Sequence, residues 1–326
     1  MVRILATRGR AVLCDVKAEA LPALLEEAEV RVWVDLSGPL DDSKRFITQE
    51  VFRFHPLAIE DCFEERERPK VETYDGYLYC TTHGLSLAST AEAQEIVELD
   101  AFLGRHYLVT YHAKDSRSVD AVFESVGRSG EPLRRGPATV LQSILDRQVD
   151  GIEPVLDDLE KRLGELEEQV LAKPRSQDLA SLVALRRSTL HLRRWLGLQR
   201  DVVLRLARQE FDLVSPAEAL LFRDTHDNLA HFTEFLETYR ELTNSIQEAY
   251  LSVINNRLSE NMRVLTLFSV VMLPLNVITG IYGMNFQHMP GLQQRLGFPL
   301  ALLSMVVTVA VILIFFRRKG WLGKQL

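Results

Sequence analysis

One stretch limits what this 326-residue chain can become. From Met262 to Phe286 it reads MRVLTLFSVVMLPLNVITGIYGMNF, and between Arg263 and Asn285 no residue carries a charge. That is about the length of one bilayer crossing, roughly 20 residues. The run is not uniformly apolar: Ser269, Asn276 and Thr279 are polar, and Pro274 sits mid-span. Lipid offers such groups no hydrogen bond, so they are expected to face protein or a water-filled path. A second apolar span, Phe298 to Phe316, is followed at once by Arg317, Arg318, Lys319 and Lys324. By the positive-inside rule that basic tail, residues 317–326, is cytoplasmic. Two spans return the chain to its starting side, which puts both termini inside and the 286–297 loop outside. Arg257 and Arg263, just ahead of the first span, agree.

Ahead of the spans there is room for a soluble part. The opening MVRILATRGR runs into the mixed-charge AVLCDVKAEA with no extended apolar stretch, so no secretory signal is read. Cys14, Cys62 and Cys80 lie far apart without CxxC spacing, as reduced thiols would, not as a disulfide or zinc framework. A formal net charge of −7 argues against nucleic acid as a partner. It suits a surface that handles cations without establishing one.

To residue 136 the chain reads as a mixed α/β domain. β-like runs occur at Val2–Thr7, Ala11–Cys14, Val30–Leu36, Tyr77–Leu87, Glu95–Leu103 and His106–His112, with helical stretches at 19–28 and 48–63, the second capped by Thr48. Glu60, Asp61, Glu64, Glu65 and Glu67 form either a metal site or a solvated helix end beside Arg66, Arg68 and Lys70; charge runs are usually solvated faces. His83, His106 and His112 lack a second ligand at helix or turn spacing and read as ordinary histidines. There is no phosphate-cradling loop, and no nucleophile, base and orienting group come together, so nothing points to an enzyme.

From 137 to 261 the pattern is helical. Leu141, Leu145, Val149, Ile152, Leu156, Leu159, Leu163, Leu166 and Val170 make one apolar seam. After the break at 173–176 a second runs through Leu179, Leu182, Leu185, Leu192, Leu196, Val203 and Leu206, which permits an antiparallel pair. Ser215-Pro216-Ala217-Glu218 then supplies a capping box with proline at the first helical position. No proline or glycine follows until Pro274. The simplest reading is a single helix from Pro216 through the span, roughly 100 Å long, with Leu229, Phe232, Leu236, Tyr239, Thr243, Ile246, Tyr250 and Val253 on its packed face. Such a stripe is expected to need neighbours beyond a small domain.

The first span ends in Tyr282-Gly283-Met284-Asn285. A Gly-Met-Asn triplet that closes a membrane span and is followed by NFxxMP and a second span resembles the CorA-type divalent-cation channel family, the CorA/ZntB superfamily. Far upstream, HPLAIEDCFEERERPKVETYDGYLYC (His55 to Cys80) is similar to that family's soluble-domain signature, HPL-x-xED followed by RPK-x-E-x-Y. The resemblance implies an α+β cytoplasmic domain, a long helical stalk and two C-terminal transmembrane helices, assembled as a funnel-shaped homopentamer in the inner membrane. It implies uptake of Mg2+, and of Co2+, driven by membrane potential, with no cofactor required and Mg2+ as cargo and regulator. Two charges crossing 100 mV gain about 4.6 kcal/mol, so no ATP is needed.

By helical spacing Met262, Leu265, Ser269, Leu273 and Asn276 share one face, and Ser259 extends it inward. The resemblance assigns this line to the channel axis, with Met262, Leu265 and Leu273 as apolar rings able to close a pore by dewetting. The alternative for Ser269 and Asn276 is hydrogen bonding between helices. Tyr282, Gly283, Met284 and Asn285 become the selectivity filter. Magnesium dehydrates reluctantly, and a ring of Asn285 amide oxygens can hold it through its own waters. One departure matters: where the family often carries an acid in the outer loop, this chain has Gly291, and no carboxylate lies nearby. The ranking of Mg2+, Co2+, Ni2+ and Zn2+ stays open. So do a ZntB-type zinc transporter, with or without proton coupling, and a two-span receptor or scaffold. Relatives close when internal Mg2+ bridges acids between soluble domains. Asp224 aligns with one such acid by its distance from the triplet, but the expected partner turn, Ala88-Ser89-Thr90-Ala91-Glu92, offers only Glu92. Gating by internal Mg2+ is therefore expected to be weak.

Overall fold

The computed structural model describes residues 1–14, 16–64, 68–86, 88–284 and 296–321. It consists of two compact units, Met1–Gln247 and Glu248–Leu326.

In the first unit the β-branched runs pair into one mixed sheet: β1 (Val2–Arg8), β2 (Ala11–Leu13), β3 (Val30–Ser37), β4 (Lys70–Tyr74), β5 (Tyr77–Leu85), β6 (Ile96–Gly104) and β7 (Tyr107–His112), in the order β2-β1-β3-β7-β6-β5-β4. β3 and β7 run parallel, and the other pairs are antiparallel. β5 is buried along nearly its whole length, as a strand covered on both faces must be. One face carries α1 (Leu21–Glu26), α2 (Asp42–Arg45) with the π-helical turn Phe46–Val51, and α3 (Pro56–Phe63). Leu21, Leu24, Ile47, Phe54, Ala58 and Cys62 pack there on Val32, Val34, Tyr79, Phe102 and Val109. The register sends Trp33 and Asp35 to the other face, since neighbours along a strand alternate. That face meets α4 (Arg117–Ser129), α5 (Glu131–Arg135) and α6 (Pro137–Asp150), with the Trp33 and Phe123 rings 5.0 Å apart. Asp35 is buried there with its partners. Arg3 donates to its Oδ2 at 2.7 Å, Thr110 Oγ1 donates to its Oδ1 at 2.7 Å, and His112 Nε2 stands 3.4 Å from Oδ1.

Several expectations are corrected. The helix read at 48–63 begins earlier and breaks. Asp41 caps it by accepting from the Lys44 N–H at 2.9 Å, while Thr48 lies inside and donates to the Lys44 carbonyl. β4 is absent from the strands expected of the sequence, because KVETY is an edge strand and edge strands carry charge. The first seam is two helices, α6 and α7 (Glu153–Ala172), divided at Gly151-Ile152, with Pro154 in the first turn of the second. Its residues are nonetheless all buried, from Leu141 to Val170. In α8 (Ser176–Ala207) the seam is buried from Leu182 onward, but Leu179 is exposed, in the first turn of that helix.

The helix α9 runs unbroken from Pro216 to Tyr282. Its start is the capping box: Ser215 Oγ donates to Glu218 Oε2 at 2.7 Å, and Glu218 Oε2 accepts the Ser215 N–H at 2.9 Å. Glu218 also accepts from Thr139 Oγ1, and a Cβ on Gly136 would strike its carboxylate at 2.2 Å, so glycine there makes the approach possible. Leu229, Leu236, Tyr239, Thr243 and Ile246 are buried within the chain itself. Gln142 Nε2 donates to Thr225, Tyr239 Oη donates to Glu160, and Arg193 pairs with Glu237. Except at Phe232, which is only half covered, the expectation that this stripe needs neighbours beyond its own domain thus fails as far as Ile246. Beyond it Tyr250 and Val253 are only half covered.

The second unit holds the rest of α9 and α10 (Gly297–Arg318). Both are apolar and long enough to cross a membrane, and their most apolar windows are uncovered in the chain.

Candidate ion pathway

At roughly 100° per residue, Ser259, Met262, Leu265, Ser269, Leu273 and Asn276 fall within an arc of about 120° on α9. All six are exposed in the single chain, Leu273 at 67%. The half-covered residues of the same stretch, Leu267, Val271, Pro274, Leu275 and Ile278, centre on the opposite side of the helix. α10 carries a matching stripe, half covered at Ala301, Met305, Thr308, Val309 and Ile312 and buried at Phe316, at i, i+4, i+7 spacing. One face of the first span is therefore the packing face, and the line singled out by spacing is the face turned away from it.

The polar groups of the span sort by their bonds. Thr266 Oγ1 donates to the Met262 carbonyl at 2.8 Å, Ser269 Oγ to Leu265 at 2.9 Å, and Thr279 Oγ1 to Leu275 and Asn276 at 3.0 Å. Each hydroxyl is satisfied on its own helix, so Ser269 does not need a neighbouring helix. The Asn276 amide makes no hydrogen bond within the described chain and is exposed, which leaves it available to a ligand or a second subunit. The helix closes one residue after Tyr282. Gly283 N–H donates to the Thr279 carbonyl at 2.9 Å, and Met284 N–H to Ile281 at 3.2 Å. A Cβ on Gly283 would stand 3.0 Å from the Thr279 oxygen, which explains glycine at that turn. Asn285 and loop residues 286–295 lie outside the described residues.

The regulatory candidates stand apart in the first unit. Glu92 is held within its own chain by Arg162 at 2.7 Å, and the same guanidinium grips Asp158 at 3.1 Å. Asp224 is exposed on α9 and is not the isolated carboxylate the sequence suggested. It acts on Asp146 of α6, whose carboxyl is pushed above its ordinary value by burial, then by Asp150, then by Asp224. Sequence reasoning missed Asp146, although its place one residue after Leu145, on the seam, was a usable signal. Among the described residues no three His, Cys, Asp or Glu side chains converge to hold an ion. Of the acidic run, Asp61 at the end of α3 is paired with Lys70, while Glu65 and Glu67 lie outside the described residues. His112 is the buried neighbour of Asp35, and His83 is buried beside Glu98 at 3.6 Å.

The comparisons with known proteins agree with this architecture. The profile of the CorA-like Mg2+ transporter proteins matches residues 28–318. The YfjQ protein of Bacillus subtilis is 35% identical over 89% of this chain and 89% of its own. The cobalt/magnesium transport protein CorA of Thermotoga maritima is 28% identical over 91% of this chain and 85% of its own. The complete structure of the CorA magnesium transporter from Methanocaldococcus jannaschii superposes with a TM-score of 0.84 over 99% of both chains, at 22% identity, and so attests the fold. With the profile covering most of its length, the chain belongs to the CorA-like Mg2+ transporter family.

Proposed function

We propose that this chain is one subunit of a divalent-cation channel that takes up Mg2+ and Co2+ along the membrane potential. The observation that carries the reading is the line from Ser259 to Asn276. It combines apolar and small polar side chains, leads to Tyr282-Gly283-Met284, and lies opposite the face of α9 that packs. One chain supplies only one wall, so a path needs copies around an axis. Five copies, as the family resemblance implies, would turn Met262, Leu265 and Leu273 into apolar rings that gate by dewetting. Asn276 and then Asn285 would form amide rings that accept hydrogen bonds from the waters of a hydrated ion. The basic ends of both spans support cytoplasmic termini and a location in the inner membrane. Asp224 and Glu92 remain the regulatory candidates. With Glu92 held by Arg162 and Asp224 facing other acids of its own chain, feedback by internal Mg2+ is weak or uses further acids. The test is flux into proteoliposomes, with Mg2+ against Co2+, Ni2+ and Zn2+ as competitors and a pH-sensitive dye inside. Potential-driven Mg2+ entry blocked by Co2+ is expected. Zn2+ entry coupled to protons would replace the reading, and absence of any flux would leave a scaffold.

A further inference from the structure

A cavity of about 520 Å³ lies in the first unit, at the end of the sheet where β5 finishes and β6 begins. The C-terminus of α3 and the middle of α8 complete its wall. Its volume is in the range of small-molecule sites, roughly 300–1,000 Å³.

Two of its lining side chains are buried with polar atoms that make no hydrogen bond. His83 is 1% exposed, and neither ring nitrogen makes a hydrogen bond. Trp195 is 4% exposed, and its indole N–H donates to nothing. Both are held in place. Gln199 clamps the His83 backbone with two bonds of 2.9 Å, and the two rings lie 6.5 Å apart at 25°. Leaving such groups unsatisfied is unfavourable, so a ligand that supplies partners is favoured. An indole N–H is a donor only and calls for an acceptor.

The charges point the same way. The acids of the cavity are already engaged. Asp100 accepts from Tyr79 Oη and Thr81 Oγ1, both at 2.7 Å, and Glu98 stands beside His83. Arg194 and His191, one helical turn apart on α8, are exposed and have no acidic partner among the described residues. Phe63 and Tyr111 add two aromatic rings to a wall that also carries Arg68 and Lys114, the latter paired with Glu95.

We propose that this cavity binds a small organic anion with a planar body, its acidic group held by Arg194 and its ring set among Trp195, Phe63 and Tyr111. An aromatic carboxylate and a nucleoside monophosphate share that chemistry. Isothermal titration of the full-length protein in detergent distinguishes them, with indole-3-acetate and adenosine 5′-monophosphate as probes. Tryptophol, which lacks the acid, and inorganic phosphate, which lacks the ring, are the controls. At least one planar anion should bind saturably, with both controls at least tenfold weaker. Arg194→Gln, an exposed change that keeps the melting temperature, should weaken that binding tenfold or more, and Trp195→Phe should weaken it while keeping the ring. If neither anion binds, if a control binds as well as its anion, or if Arg194→Gln binds like the parent, the proposal falls. Flux is not read in this experiment, so its outcome is independent of the channel reading.

Discussion

The two parts of α9 present one apolar periodicity in opposite settings. Up to Ile246 its stripe is buried against its own chain, with Leu229, Leu236 and Ile246 fully covered. Past Glu248 the same helix exposes Met262 at 54% and Leu265 at 59%. The first unit solves the burial problem alone: its sheet is covered on both faces, and its buried Asp35 is bonded to Arg3 and Thr110. The second unit has one packing face and leaves the rest to a solvent other than water. In water such a surface far exceeds what a soluble monomer tolerates. In lipid that exposure is favourable, and the line from Ser259 to Asn276 stays open on the side away from the half-covered face.

The largest effect expected is from Asn285→Ala, which should reduce selective Mg2+ uptake to background while the assembly, read by size-exclusion chromatography, stays intact. Unchanged flux and unchanged Co2+ block would remove the filter assignment and with it the functional half of the contrast. Next, Leu163→Ala in the buried seam of α7 should destabilise the first unit by about 2–5 kcal/mol, seen as a lowered denaturation midpoint. Leu273→Ala should leave that midpoint where it is and raise ion leak at high internal Mg2+. If instead Leu273→Ala melts the protein and conducts like the parent, its face is a packing face. Gly283→Ala should lower uptake more modestly, since a methyl group set 3.0 Å from the Thr279 oxygen forces a small shift of the turn.

The smallest effect is a pH dependence confined to the first unit. Burial pushes the Asp35 carboxyl up, but His112 and then Arg3 outweigh it and hold it below its ordinary value. Burial lowers His112, and Asp35 more than restores it, so its value is raised. A depressed acid stabilises the fold above its unfolded pKa and loses that contribution as pH falls through the folded one. A raised histidine stabilises below its unfolded pKa, about 6.5, and loses that contribution as pH rises through the folded one. The melting temperature should therefore be highest between those limits, and His112→Gln should flatten the alkaline side. An alkaline limb that persists in His112→Gln would assign the effect elsewhere.

What the sequence by itself determined was whatever depends on local pattern. The two spans, the capping box at Ser215–Glu218, the apolar seam from Leu141 to Val170 and the shared face from Ser259 to Asn276 all follow from helical periodicity and charge. The strands with β-branched runs were legible for the same reason, and the signatures at His55–Cys80 and Tyr282–Asn285 carried the family. Tertiary structure decided what depends on partners distant in the chain. β4 exists because β5 offers it an edge, although KVETY alone reads as polar. The break at Gly151 is invisible to a seam whose phase continues across it, and Leu179 fits the period but is left exposed. Asp146 stands beside Asp224 only because α6 and α9 pack together. That packing also divides α9 into a stripe its own chain covers and a face it leaves open, since periodicity marks which side of a helix is apolar and cannot say what will cover it.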